Sequence, residues 1–200
     1  TSKKLAWKTC LKELLWFISG STDNSILNNE KVHIWDGNAD EYKNRIFNTK
    51  NIIVQDGELG PIYGHQWRYY NASYMNCKMS YKDKGVDQLE YIINKLKNPE
   101  ERTSRRLLMS AWNPCQIEEM ALPPCHVLCQ FHVSKEKRLH CLLFQRSGDV
   151  GLGIPFNIAS YGLLTHLIAK TCDLEAYELV HIIGNAHIYE EHIDVLNEQL

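Results

Sequence analysis

The chain has 200 residues, 44% of them hydrophobic and 23% charged, which suits a globular domain with its own apolar core. A net charge of −2 argues against a dedicated nucleic-acid binder but leaves room for a local basic site that takes one anion. Seven cysteines, an odd number with no CxxC pair, point to free thiols in a reducing, cytoplasmic setting and to no metal site.

Leu11, Leu14, Leu15 and Ile18 recur at helical spacing and predict a first helix, ended by Gly20. Thr22 to Asn29 reads as a short second helix, and residues 36 to 60 as polar and irregular. Another helix is expected from Val86 to Leu96, with Val86, Leu89, Ile93 and Leu96 inward and Asn98-Pro99 as its stop. Leu107 to Trp112, His126 to Val133 and Leu139 to Gln145 read as strands. The polar run Ser134 to Arg138 should turn the last two into a hairpin. Phe156 to Ala169 predicts a long helix, Val180 to Ile183 a short strand and Tyr189 to Leu196 a closing helix. No apolar stretch reaches membrane-spanning length. The order suits one α+β domain over residues 1–200 with a largely antiparallel or mixed sheet. The chain starts at Thr1 and stops at Leu200 inside a helical pattern, so a domain incomplete at both ends is expected.

Cys125 follows Leu122-Pro123-Pro124 and should open a strand. If Val133 pairs near Leu139, Cys125 comes opposite Arg146 or Ser147, and a guanidinium there favours the nucleophilic thiolate. His126, next along the strand, should face away from it. From these residues alone, a buried apolar thiol and a nucleophile both stay open. Arg105-Arg106 and Arg146-Ser147 could hold a phosphate, or be solvated surface groups. Gly151 to Asn157 leads into a helix whose backbone donors could approach a ligand, and Gly60 to Gly64 is a second glycine-punctuated loop. His187 and Tyr189 share a face if extended. Glu13 is either on a solvent face or buried with a raised pKa and a proton-transfer role.

Together these pieces resemble the thymidylate synthase family. The stretches are Glu13 to Phe17, Ile34-Trp35-Asp36, Gly60 to Gly64 with Gln66-Trp67-Arg68, and Ser104-Arg105-Arg106. They continue with Ser110 to Pro114, Ala121 to His126, Gln145 to Asp149, Leu152 to Tyr161, and Ala186 to Tyr189. They run in the family's order along nearly the whole chain, in wording closer to its eukaryotic branch.

The resemblance implies a large mixed sheet flanked by helices, dimerising through the sheet. It implies methylation of deoxyuridylate (dUMP) to thymidylate with methylenetetrahydrofolate as cosubstrate and no metal. Cys125 would attack the ring carbon beside the glycosidic nitrogen. The neighbouring carbon would then take up the one-carbon unit, and hydride from the folate would complete the methyl group. Arg146 would bind phosphate and lie near the thiolate, with Gln145, Ser147 and Asp149 beside the substrate. Asn157 would read the pyrimidine edge, and His187 and Tyr189 the sugar. Arg105 and Arg106 would reach the partner subunit's phosphate. Glu13, with Asn113, would relay protons at the ring carbonyl, and Tyr63 and His126 would line that network. Lys3, Ile34, Trp35, Asn38, Leu152, Gly153 and Phe156 would meet the folate, with Asp149 at its pterin. Asn185 stands where the family usually has Asp. A further phosphate-binding arginine and a closing C-terminal tail, both family features, are not in this sequence. Whether a dihydrofolate reductase domain precedes Thr1 is open. Two rival readings are a nucleotide hydroxymethylase of the same fold and a catalytically silent nucleotide- or RNA-binding module.

Overall fold

The computed structural model describes residues 4–198. Its packing falls into two units. One holds residues up to Leu11, Ile92–Leu108 and the residues from Cys125 on; the other holds Lys12–Tyr91 and Met109–Pro124.

The second unit is mostly helical. Helix α1 (Trp7–Ile18) buries Leu14, Trp16 and Phe17 there, while Leu15, expected to face inward, is 48% exposed. The apolar side is thus turned by about one position, toward the aromatic residues. Helix α2 (Asn24–Asn29) starts at Asp23, whose carboxylate accepts from the Ser25 N–H at 3.0 Å and so satisfies an orphan helix donor. Residues 36 to 50, expected to be irregular, form α3 (Asp36–Lys50). This helix buries only Tyr42 and Ile46, so it has no apolar stripe to read. Its ends carry the signal instead: Asp36 and Lys50 suit the helix dipole, and Asn51 adopts a left-handed φ of 52° to end it. Helix α4 (Tyr63–Tyr69) follows the loop at Gly60, where φ is +72° and a Cβ would lie 1.9 Å from the Glu119 carbonyl oxygen. That loop's glycine is explained by close packing. Helix α5 (Gln88–Lys97) buries Leu89, Ile92 and Leu96. Val86 lies outside it, exposed, and bridges Tyr70 through its backbone.

The sheet runs in the order β1 (Leu108–Ser110), β2 (His126–Val133), β3 (Arg138–Asp149), β4 (Glu175–His187). The β2–β3 hairpin is antiparallel, with Val133 opposite Leu139 as expected, and β4 joins β3 in parallel. The chain is therefore α+β with a mixed sheet. Strand β1 is only three residues long, because the Ser110 hydroxyl bonds the Trp112 backbone and turns the chain out of the ladder. Strand β4 is the opposite case, thirteen residues where four were expected. Its register runs alongside β3 from Arg138 to Asp149, and this backbone pairing extends it through residues too exposed to show a hydrophobic pattern. Helix α6 (Gly153–Thr171) makes the crossover from β3 to β4 and buries Tyr161, Leu164 and Ile168. The expected closing helix resolves into a 3-10 turn (Glu190–His192) and the short α7 (Ile193–Asn197). No described helix is long and apolar enough to cross a membrane.

Side chains alternate along β3: Leu139, Cys141, Leu143 and Gln145 are buried in turn. A polar residue ends this core-facing row, so Gln145 must find partners for its amide.

Candidate functional site

The hairpin register decides what surrounds Cys125. His126 pairs with Gln145, and a bulge follows before Leu128. One residue earlier, the Arg146 N–H donates to the Cys125 carbonyl at 2.9 Å. Arg146 Nη2 lies 3.7 Å from Cys125 Sγ, so the expected cation stands beside the half-buried thiol. By contrast Cys129 and Cys141 are buried together, and their mutual hydrogen bond and burial hold the Cys129 thiol in its neutral form, well above the ordinary range.

His126 faces the core, as alternation requires. Its Nδ1 meets the Tyr161 hydroxyl at 2.8 Å, and the rings pack edge to face. Burial, aided by the nearby His181, pushes its pKa down to about 3, so it is neutral near neutral pH and carries no charge to Cys125. Tyr161, within a motif but without an assigned role, is the residue that orients it.

Asn157 lies in the first turns of α6, with Oδ1 accepting from Gln145 Nε2 at 2.9 Å. Ser147 is half-buried one residue after Arg146. Asp149 ends β3 and accepts from the N–H groups of Gly151 (2.9 Å) and Gly153 (3.3 Å). Those donors, considered above as open to a ligand, are thus already taken by a side-chain cap. Leu152 between them is exposed and Phe156 half-buried. The His187 and Tyr189 rings meet edge to face at 5.1 Å, so they do share a side. His192, which sequence reasoning missed, packs on Tyr189 and places Nδ1 3.6 Å from Asp149. Arg105 and Arg106 sit exposed in a turn before β1. No group of three His, Cys, Asp or Glu side chains among the described residues could hold a metal ion.

The second unit holds the other candidates. Trp35 is buried among Trp16, Phe17 and Tyr63, and its indole N–H donates to Glu13 Oε1 at 2.7 Å. Desolvation there outweighs that hydrogen bond and raises the Glu13 pKa from 4.5 to about 7. Of the two readings of Glu13, this environment supports the desolvated one. Ile34 beside Trp35 is exposed, and Asn38 is half-buried in the first turn of α3. Asn113 belongs to a buried amide network, donating to Gln116 Oε1 at 2.9 Å, and Gln116 in turn donates to the Ala72 carbonyl at 2.8 Å. Lys3 lies outside the described residues.

The thymidylate synthase family model matches residues 1–200. The chain belongs to the thymidylate synthase family. Across its full length it is 49% identical to a bifunctional dihydrofolate reductase-thymidylate synthase of Zea mays, and spans 37% of that protein. It is likewise 49% identical to the thymidylate synthase of Saccharomyces cerevisiae, of which it covers 67%. A probable thymidylate synthase of Schizosaccharomyces pombe is 48% identical, with 32% of its length covered. Cys125, Arg146, Ser147, Asn157, His187 and Tyr189 all fall in one packing unit, and Glu13, Trp35, Tyr63 and Asn113 in the other.

Glu13 gives a pH test of this environment. Its folded pKa is raised, so its contribution to stability is full below about pH 4.5 and is lost as pH rises through about 7. Glu13→Gln keeps an acceptor for Trp35 and cannot ionise. The variant should therefore gain stability relative to the parent between pH 5 and pH 8, read as the shift in urea midpoint. An equal difference at both pH values would place the Glu13 carboxylate in solvent.

Proposed function

We propose that the protein carrying this chain is a thymidylate synthase that methylates deoxyuridylate, using methylenetetrahydrofolate as cosubstrate. The observation that carries the reading is Arg146 Nη2 at 3.7 Å from Cys125 Sγ, one residue from Ser147 and on the strand whose Gln145 holds Asn157. When bound, the folate supplies the one-carbon unit and the hydride. Ile34, Asn38, Leu152, Gly153 and Phe156 would hold it, with Asp149 near its pterin and Trp35 contributing only an edge.

Cys125 Sγ forms a bond to the pyrimidine ring and is released when the product forms. Arg146 and Ser147 bind the nucleotide phosphate, Arg146 by charge and the serine by its hydroxyl. Asn157 reads the base edge, and His187 and Tyr189 the sugar hydroxyl. Glu13, with a pKa of about 7, can both give and take a proton near neutral pH, which suits a proton relay, with Tyr63 and Asn113 in the same packing unit. Incubating the whole protein with deoxyuridylate and methylenetetrahydrofolate should give thymidylate by mass spectrometry. A hydroxymethyl product would mean a hydroxymethylase, and binding without turnover a silent module.

The active unit is a homodimer in this proposal. Phe144 pairs with the exposed Ile182, and Leu142 with the exposed Val180, along two neighbouring strands. An uncovered apolar stripe of this kind suits a second copy meeting it about a two-fold axis. Arg105 and Arg106, exposed in their turn, would reach the phosphate in the partner's site. Mixing inactive Arg106→Ala and Cys125→Ala chains should restore about a quarter of wild-type activity, because half the dimers are mixed and each rebuilds one site. Refolded mixtures that stay inactive while dimeric would rule out shared sites. All seven cysteines are free thiols, which supports a reducing compartment such as the cytoplasm.

A further inference from the structure

Gln145 is 2% exposed, and every polar atom of its amide is engaged. Nε2 donates to the Ser147 carbonyl at 2.8 Å and to Asn157 Oδ1 at 2.9 Å. Oε1 meets His181 Nε2 at 2.9 Å. A carbonyl oxygen only accepts, so the Ser147 carbonyl fixes which end of the Gln145 amide faces it. The other end must then be the oxygen, and His181 Nε2 must carry a proton to donate to it. Downstream the same logic applies: the Gln145 N–H requires an acceptor, so Asn157 turns its oxygen toward Gln145 and its amino group away. Within the described residues nothing else bonds the Asn157 amino group.

We infer that His181, through Gln145, is a positioning residue that sets the pyrimidine preference of Asn157. The inference rests on Asn157 being the group that reads the base. An Asn amide by itself does not distinguish uracil from cytosine, since a flip exchanges its donor and acceptor. The chain from His181 to Gln145 to Asn157 forbids the flip, because a flipped Asn157 would set N–H against N–H. The locked amide offers its amino group to a ring carbonyl and a spare lone pair to a ring N–H. Uracil presents that pair, and cytosine presents the reverse. His181 sits on β4, opposite Leu143 and on the same face as Gln145, where the parallel register delivers its ring to the amide.

Removing the donor leaves Gln145 Oε1 buried without a partner, so only the Ser147 carbonyl still opposes a turned Gln145 amide and the two orientations come closer in energy. The test is calorimetric titration of the whole protein with deoxyuridylate and with deoxycytidylate, read as the ratio of their dissociation constants. His181→Phe should cut the preference for deoxyuridylate about tenfold. His181→Gln, which restores an N–H donor, should keep it within about twofold. His181→Glu places an acceptor against Oε1 and should cut it further than His181→Phe. A merely structural role would weaken both nucleotides alike and leave the ratio unchanged, and that result overturns the inference. Asn157→Ala separates the two ideas. If it abolishes the preference while the His181 variants keep it, only the role of His181 falls. If Asn157→Ala leaves the ratio intact, the reading of Asn157 falls and the inference with it.

Discussion

Cys125→Ser should fold like the parent and lose nearly all thymidylate formation. The two side chains differ by one atom of similar size, and Cys125 is only half-buried, so no cavity or clash follows. Arg146 keeps its backbone bond to residue 125, because that bond uses the carbonyl and not the side chain. What changes is the nucleophile. A serine hydroxyl ionises far less readily than a thiol, and the neutral His126, turned into the core on Tyr161, is not placed to remove its proton. Removing the nucleophile of a covalent mechanism costs on the order of 10⁴-fold or more in turnover. The measurement is turnover of the purified variant beside a matched thermal melt. A variant that melts normally and keeps a tenth or more of the parent rate would remove Cys125 from the mechanism.

Asn157→Asp should move the preference from deoxyuridylate toward deoxycytidylate. The Asn157 oxygen accepts from Gln145, so Asp can keep that bond, and its second oxygen then stands where the amino group was. Toward uracil, this oxygen meets a ring carbonyl, acceptor against acceptor. Toward cytosine, it accepts from the exocyclic amino group, and a proton on the carboxyl can bridge to the ring nitrogen. A buried unpaired polar group costs roughly 1–3 kcal/mol, more when charged. With a penalty removed on one side and added on the other, the swing should be about a hundredfold or more in relative catalytic efficiency. The measurement is the ratio of kcat/KM for the two nucleotides in parent and variant. An unchanged ratio would mean that some other group reads the base.

The sequence by itself determined the family and much of the local order. Pro123-Pro124 before Cys125, the Ser134 to Arg138 turn and the Val133–Leu139 pairing brought Arg146 or Ser147 opposite the thiol, and the bulge between His126 and Leu128 decided for Arg146. The apolar run before and after Tyr161 likewise announced α6. Helix α3 was not legible, since it buries two side chains and carries no stripe. Strand β4 was legible only at its centre, because its length comes from hydrogen bonds to β3 and not from its own side chains. The tertiary structure alone decided the state of the polar groups. Glu13 could have faced water, and desolvation beside Trp35 is what raises its pKa. Gln145 and Asn157 lie twelve residues apart in sequence, and His181 thirty-six from Gln145. Only a crossover helix and a parallel strand bring those three amide and imidazole groups together, and hydrogen-bond direction then follows from which neighbours can donate. No periodicity encodes that, because it depends on partners that are remote along the chain.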